Sequence, residues 1–166
     1  MRTRFDGSGR MILQTFDPQS VTTPGLTRLE RWLTRLFPCS LWTGGVGCPC
    51  LRRWDLLHAR WGKLFLHRFL ADDWSLDFHD HSGRMISIGL WGSYQEETPS
   101  GTRVWRAPWI RSFPATWTHR LRLVTPIVWT LVWVGPKERR SGFWYRGAWM
   151  NQTSYLTGPA QSRKSC

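Results

Sequence analysis

Lysine is scarce in this chain: of 23 basic residues in 166, only Lys63, Lys137 and Lys164 are lysines, and the rest are arginine. Acids are few as well, with 11 Asp and Glu, so the formal net charge is +12. No apolar run approaches the roughly 18 residues of a spanning helix, so no membrane span is expected. Nothing like a signal peptide follows Met1-Arg2-Thr3-Arg4-Phe5-Asp6, and a soluble cytoplasmic chain is expected. Histidine is limited to five and cysteine to four. What is abundant is aromatic area: 13 Trp, 8 Phe and 3 Tyr close a dense core and exclude a disordered basic protein. The length fits one domain.

The arginine and tryptophan excess has two readings. Arg contacts phosphate and aromatic planes stack on bases, which fits nucleic-acid binding. Equally, a biased genome raises Arg, Trp, Gly and Pro together, and the basic residues are spread along the chain rather than gathered. Cys48-Pro49-Cys50 is spaced too tightly for a standard zinc knuckle, and a fourth ligand after Cys39 is missing unless His58 serves. Free thiols are the default in a reducing compartment.

Residues 1–23 show no period and read as a flexible basic arm. A helix is predicted over 24–37, with Leu26, Leu29, Leu33 and Leu36 as its buried stripe, Trp32 and Phe37 widening it, and Pro38 ending it. A Gly/Pro/Cys loop over 38–50 and a short basic helix or irregular lead-in over 51–62 complete an N-terminal unit, 24–62, that packs on the rest. From Lys63 to residue 150 the chain breaks into short extended segments with turn signals, which argues for an antiparallel sandwich or barrel. The last residues, 151–166, read as a flexible tail.

His79 and His81 are two apart on a predicted strand, so both rings leave one face and can reach one metal ion. A lone His-x-His is more often a polar strand face. The surroundings change the weight. Met85 and Gly92 follow at fixed spacing, and Pro114, Thr116 and His119 form a second group.

These spacings resemble the two motifs of the cupin superfamily over roughly residues 63–145. In the first motif, Gly-x5-His-x-His-x3,4-Glu-x6-Gly, Asp73 stands for the opening Gly, His79 and His81 match, Met85 or Ile86 takes the Glu position, and Gly92 matches. In the second, Gly-x5-Pro-x-Gly-x2-His-x3-Asn, Pro108 stands for the leading Gly, Pro114 and His119 match, and Thr116 and Leu123 replace Gly and Asn. The resemblance implies an all-β, cupin-like antiparallel β-barrel (double-stranded β-helix or jelly roll) with one N-terminal helix. It implies one divalent metal ion on His79, His81 and His119, with Fe2+ favoured and Zn2+, Ni2+ or Mn2+ open. The run Phe78-His79-Asp80-His81 also resembles short cupin-like proteins of bacterial and phage genomes that carry no assigned function.

The lost motif Glu and the His-Asp-His core look like three-His thiol dioxygenases, which use ferrous iron and dioxygen. Asp77, on the same strand face as His79, is then a candidate fourth ligand or catalytic partner, and Tyr94 a candidate catalytic phenol. Isomerases of cupin fold stay open. Alternation from Met85 points Ser87 and Trp91 inward as substrate-binding candidates, and Arg106 is a candidate for holding a small anionic substrate. Leu121 and Leu123 should face inward, and Arg120 and Arg122 outward. The competing class is a non-enzymatic basic protein whose interleaved Arg and Trp over 103–122 bind nucleic acid or a protein partner. A homodimer through strand edges is plausible in this architecture, and no membrane partner is expected.

Overall fold

Period-two alternation broken by glycine and proline turns builds most of this molecule. The computed structural model describes residues 4–5, 11–12, 26–44, 48–73 and 75–158. In chain order its elements are β1 (Arg4–Phe5), β2 (Met11–Ile12), α1 (Arg28–Leu36), β3 (Cys39–Gly44), β4 (Cys48–Ala59) and β5 (Gly62–Phe69). There follow β6 (Phe78–His79), β7 (Met85–Trp91), β8 (Ser93–Thr98), β9 (Gly101–Arg106) and β10 (Trp109–Phe113). The last are β11 (Arg120–Leu123), β12 (Val128–Val134), β13 (Gly142–Tyr145), β14 (Ala148–Asn151) and α2 (Gln152–Thr157).

One sheet runs β10-β7-β12-β5-β4-β3. Opposite it, β11-β8-β9 and β14-β13-β6 are joined by an antiparallel bridge between His79 and His119. The strand orders are therefore β10-β7-β12-β5 over β9-β8-β11-β6, the two interleaved Greek keys of a jelly roll. Every named pairing is antiparallel, as the turn spacing predicted. Tyr94, Trp109, Leu121 and Val128 form a core cluster between the sheets. Gly89 makes room for it: a Cβ there would lie 2.2 Å from the Trp109 ring. Gly92, the predicted closing glycine, turns at φ +81°, where a Cβ would meet the Ile127 carbonyl at 2.2 Å.

Three local expectations are overturned. The described residues of 38–62 are mostly strand rather than loop or helix; β3 and β4 pair antiparallel and extend the larger sheet, because Leu51, Trp54 and their neighbours pair with β5. The helix is shorter than 24–37 and is turned about its axis. A capping box between Thr27 and Glu30 fixes its start. Of the expected stripe Leu33 is buried, whereas Leu29 and Leu36 are exposed, as is Trp32. Glu30 takes the barrel-facing position, fully buried against Arg52 and Arg68. The two arginines lie directly opposite each other on β4 and β5, and the helix carboxylate bridges them, offsetting one of their two charges.

The segment from residue 151, expected as a tail, opens with ordered structure. Asn151 caps α2 through Ser154 N–H at 3.0 Å, and Tyr155 is fully buried. Most of the expected N-terminal arm, Trp74 and residues 159–166 lie outside the described residues. No helix among the described residues is long and apolar enough to cross a membrane.

Candidate metal centre

The jelly roll brings three of the five histidines together. His79 ends β6, His81 follows two residues on, and His119 precedes β11. His79 and His119 exchange backbone hydrogen bonds of 2.8 and 3.0 Å, so their side chains leave the same face of the bridge. His81 N–H is tied to the Ala115 carbonyl at 3.0 Å. Asp80, between the two, points the other way. It accepts from Gly142 N–H at 2.7 Å and Trp149 Nε1–H at 2.8 Å, and pairs with Arg139 at 2.8 Å.

One nitrogen from each ring falls within 4.8 Å of the others. The Nε2 atoms of His81 and His119 are 3.0 Å apart. Burial pushes His79 down to about 4 and His81 well below the ordinary imidazole value. Rings kept neutral are the form that donates to a metal. Aromatic rings close the surroundings: Phe113 lies 5.4 Å from His81, and Phe143 lies 5.9 Å from His79. Three imidazoles on one side of a small space form a donor set that fits a divalent transition metal.

A residue that the sequence reading passed over completes the site. Glu96 on β8 is buried, and its Oε1 sits 2.6 Å from His119 Nδ1. Trp117 Nε1–H reaches the same oxygen at 2.9 Å, while Trp105 Nε1–H and Arg111 reach Oε2 at 2.9 and 2.5 Å. Burial alone would raise this carboxyl; the hydrogen bonds from His119, Arg111 and Trp117 outweigh it and hold it well below the usual carboxylate range. The available signal was register: Glu96 stands opposite Leu121, whose inward direction was expected.

The remaining candidates divide. Asp77 is buried but engaged elsewhere, accepting from Tyr155 Oη at 2.8 Å. The carboxylate facing His79 Nδ1 is instead Asp73, at 3.7 Å, at the position where the motif has glycine. Tyr94 is a core residue packed on Phe69 and Trp109, and burial pushes its phenol up to about 12. Ser87 is buried as expected, between Arg111 and Val132 on neighbouring strands. Trp91 is not inward: it is 70% exposed. The register of β7 with β12 shifts between Trp129 and Thr130, and that bulge carries Trp91 to the outer face. Arg106 is exposed at the end of β9, not beside the triad. Leu121 is buried, and Arg120 and Arg122 pair with Glu97 outside it.

The Arg/Trp interleave is thus partly consumed inward, through Arg111, Trp105 and Trp117 on Glu96. Cys50 is buried and donates to the Trp42 carbonyl at 3.3 Å; Cys39 is exposed, and the Cys48 side chain lies outside the described residues. His58 sits by Asp55 at 3.4 Å.

No family model and no curated protein matches the chain. Solved structures do. An RmlC-like cupin protein from Ralstonia eutropha JMP134 is 14% identical with a TM-score of 0.49, covering 82% of this chain and 84% of that one. A cupin superfamily protein from Desulfitobacterium hafniense DCB-2 is 13% identical with a TM-score of 0.46, covering 52% and 78%. This is a cupin-like double-stranded β-helix. The strand order of the two sheets establishes it within the molecule itself. Fe(II) HppE is also similar, at 10% identity and a TM-score of 0.49 over 58% of this chain and 56% of that one.

Proposed function

We propose that this cupin-fold chain holds one divalent metal ion on His79, His81 and His119 and acts as an enzyme on a small anionic substrate. The supporting observation is the convergence of three imidazoles, one of them backed by a buried carboxylate. Ferrous iron is the favoured ion, on the likeness of His79-Asp80-His81 and the lost motif Glu to three-His thiol dioxygenases; zinc, nickel and manganese suit the same donors. An ion held by three protein ligands keeps coordination positions open and supplies Lewis acidity to a bound substrate.

The chain's own residues have separable tasks. Glu96 holds the His119 Nδ1 proton and so presents Nε2 toward the other two rings. Phe113 and Phe143 limit water around the imidazoles. Asp80 locks the His79–His81 segment to β13 through Gly142. The +12 charge raises the local concentration of anions.

Elemental analysis of protein purified without added metal tests the reading. About one ion per chain is expected in the wild type, and far less in His81→Ala and His119→Ala. Occupancy below about 0.1 in the wild type after reconstitution with Fe2+, Zn2+, Ni2+ and Mn2+ in turn overturns it.

A further inference from the structure

We propose a second ligand site: a groove on the far side of the histidine-bearing strand that takes the phosphate group of a small phosphorylated molecule. The groove is open to solvent, offers about 490 Å3, and is lined by Ser82, Lys137, Arg140, Ser141, Gln152 and Thr153, together with Asn151, which caps α2.

The loop between β12 and β13 is fastened by its backbone. Glu138 and Arg139 N–H both donate to the Ser82 carbonyl, at 2.7 and 3.1 Å, and Gly135 N–H donates to the Arg84 carbonyl at 2.8 Å. Its run Lys137-Glu138-Arg139-Arg140 is thereby sorted by side-chain direction. Glu138 accepts from Arg84 N–H at 3.3 Å, and Arg139 pairs with Asp80. Lys137 and Arg140 are exposed, line the groove, and form no ion pair among the described residues. Among the described residues no carboxylate lines the groove, so two positive charges face a concave space without neutralisation. The hydroxyls of Ser82 and Thr153 and the amide NH2 of Gln152, whose Oε1 accepts from Ser141 Oγ–H at 3.5 Å, supply neutral donors beside them. Fixed cations with several short polar donors suit a phosphate dianion and its acceptor oxygens. The volume is that of a single small ligand, which favours a phosphorylated metabolite over a nucleic-acid track.

The groove is separate from the triad. Ser82 directly follows His81, but the ligand-bearing rings leave the opposite side of the strand from Asp80 and its partner Arg139. The site therefore stands or falls independently of the metal.

Isothermal titration calorimetry at physiological salt tests it, with inorganic phosphate, glucose 6-phosphate and a random single-stranded oligonucleotide as probes. The variants are Lys137→Ala/Arg140→Ala and, as a control of equal charge, Arg60→Ala/Arg103→Ala. Saturable phosphate or ester binding is expected, weakened at least about tenfold in the groove variant and unchanged in the control. Tighter binding of the ester makes an organic phosphate the ligand, and equal binding makes it free phosphate. Equal weakening in both variants, absence of saturable binding, or a preference for the oligonucleotide overturns the proposal.

Discussion

Glu96 Oε1 and His119 Nδ1 lie 2.6 Å apart, and that contact fixes the orientation of one corner of the triad. The carboxylate is held ionised by Arg111 and two indoles, so Nδ1 must be the donor. With Nδ1 donating, His119 turns its Nε2 toward His81 Nε2, 3.0 Å away. The carboxylate missing at Met85 is in this sense offset by one that acts on the donor set through the His119 ring.

Replacing that carboxylate by its amide should weaken metal binding without collapsing the fold. Glu96→Gln keeps the volume but loses the charge and allows the other imidazole tautomer. An affinity loss of about 10–100-fold is expected by chelator competition. Nitrogen NMR of the metal-free variant should show His119 in mixed tautomers. Unchanged affinity with an unchanged tautomer would count against the role given to Glu96.

Emptying the helix anchor separates charge burial from apolar burial. Glu30 is fully enclosed with Arg52 and Arg68, whereas Leu29 is 56% exposed. Glu30→Ala leaves two buried guanidinium groups unpaired and should cost about 3–5 kcal/mol in urea unfolding. Leu29→Ser should change stability by no more than about 0.5 kcal/mol. The reverse ranking would place the helix the other way round.

That inversion shows where the sequence was legible and where it was not. Strands β5 and β7 to β13 were visible because alternation and turn residues repeat within a few residues, and the three histidines followed from strand spacing. The helix face was misread because Leu29, Leu33 and Leu36 carry the apolar period, while Glu30 is placed by partners 22 and 38 residues away. The hairpin β3–β4 was hidden by its glycines and cysteines; its pairing depends on β5. Trp91 obeyed alternation until a bulge, set by the partner strand, reversed its face. Glu96 is inward only because β11 and β10 deliver His119 and Arg111 to it.

The C-terminal helix is coupled to the triad through stacked rings. Tyr155 stacks on Phe143 at 4.1 Å, and Phe143 leans on His79 at 5.9 Å. Its hydroxyl donates to Asp77 at 2.8 Å and meets Ser75 Oγ at 2.7 Å. Tyr155→Phe removes a hydrogen bond to the buried Asp77 carboxyl and should cost about 1–3 kcal/mol. Tyr155→Ala also removes the ring and should cost more, about 3–5 kcal/mol, with looser metal retention at His79. Equal unfolding midpoints for the two variants would show that the ring contact contributes nothing.

Acid should destabilise this protein well above the usual carboxylate range, and His67 is one cause. Its Nε2 is sealed from solvent without a partner, and burial, aided by Arg53, lowers its pKa to about 3. The unfolded chain takes up that proton near pH 6.5, the folded chain only near 3. Between those values the unfolded state binds more protons, so stability falls as pH falls, by up to about 1.4 kcal/mol per pH unit for one such group. His79 and His81 are lowered by burial too and add to the same slope. Glu30 and Glu96 act in a lower window: their folded values are depressed, so the stability they contribute above 4.5 is lost only as pH drops below it. His67→Phe, flanked by Phe65 and Phe69, fills the same interior position without a titrating nitrogen. Urea midpoints measured between about pH 7 and about pH 5 should therefore fall less steeply in His67→Phe than in the wild type. Parallel slopes would show that the His67 ring takes its proton in the folded state.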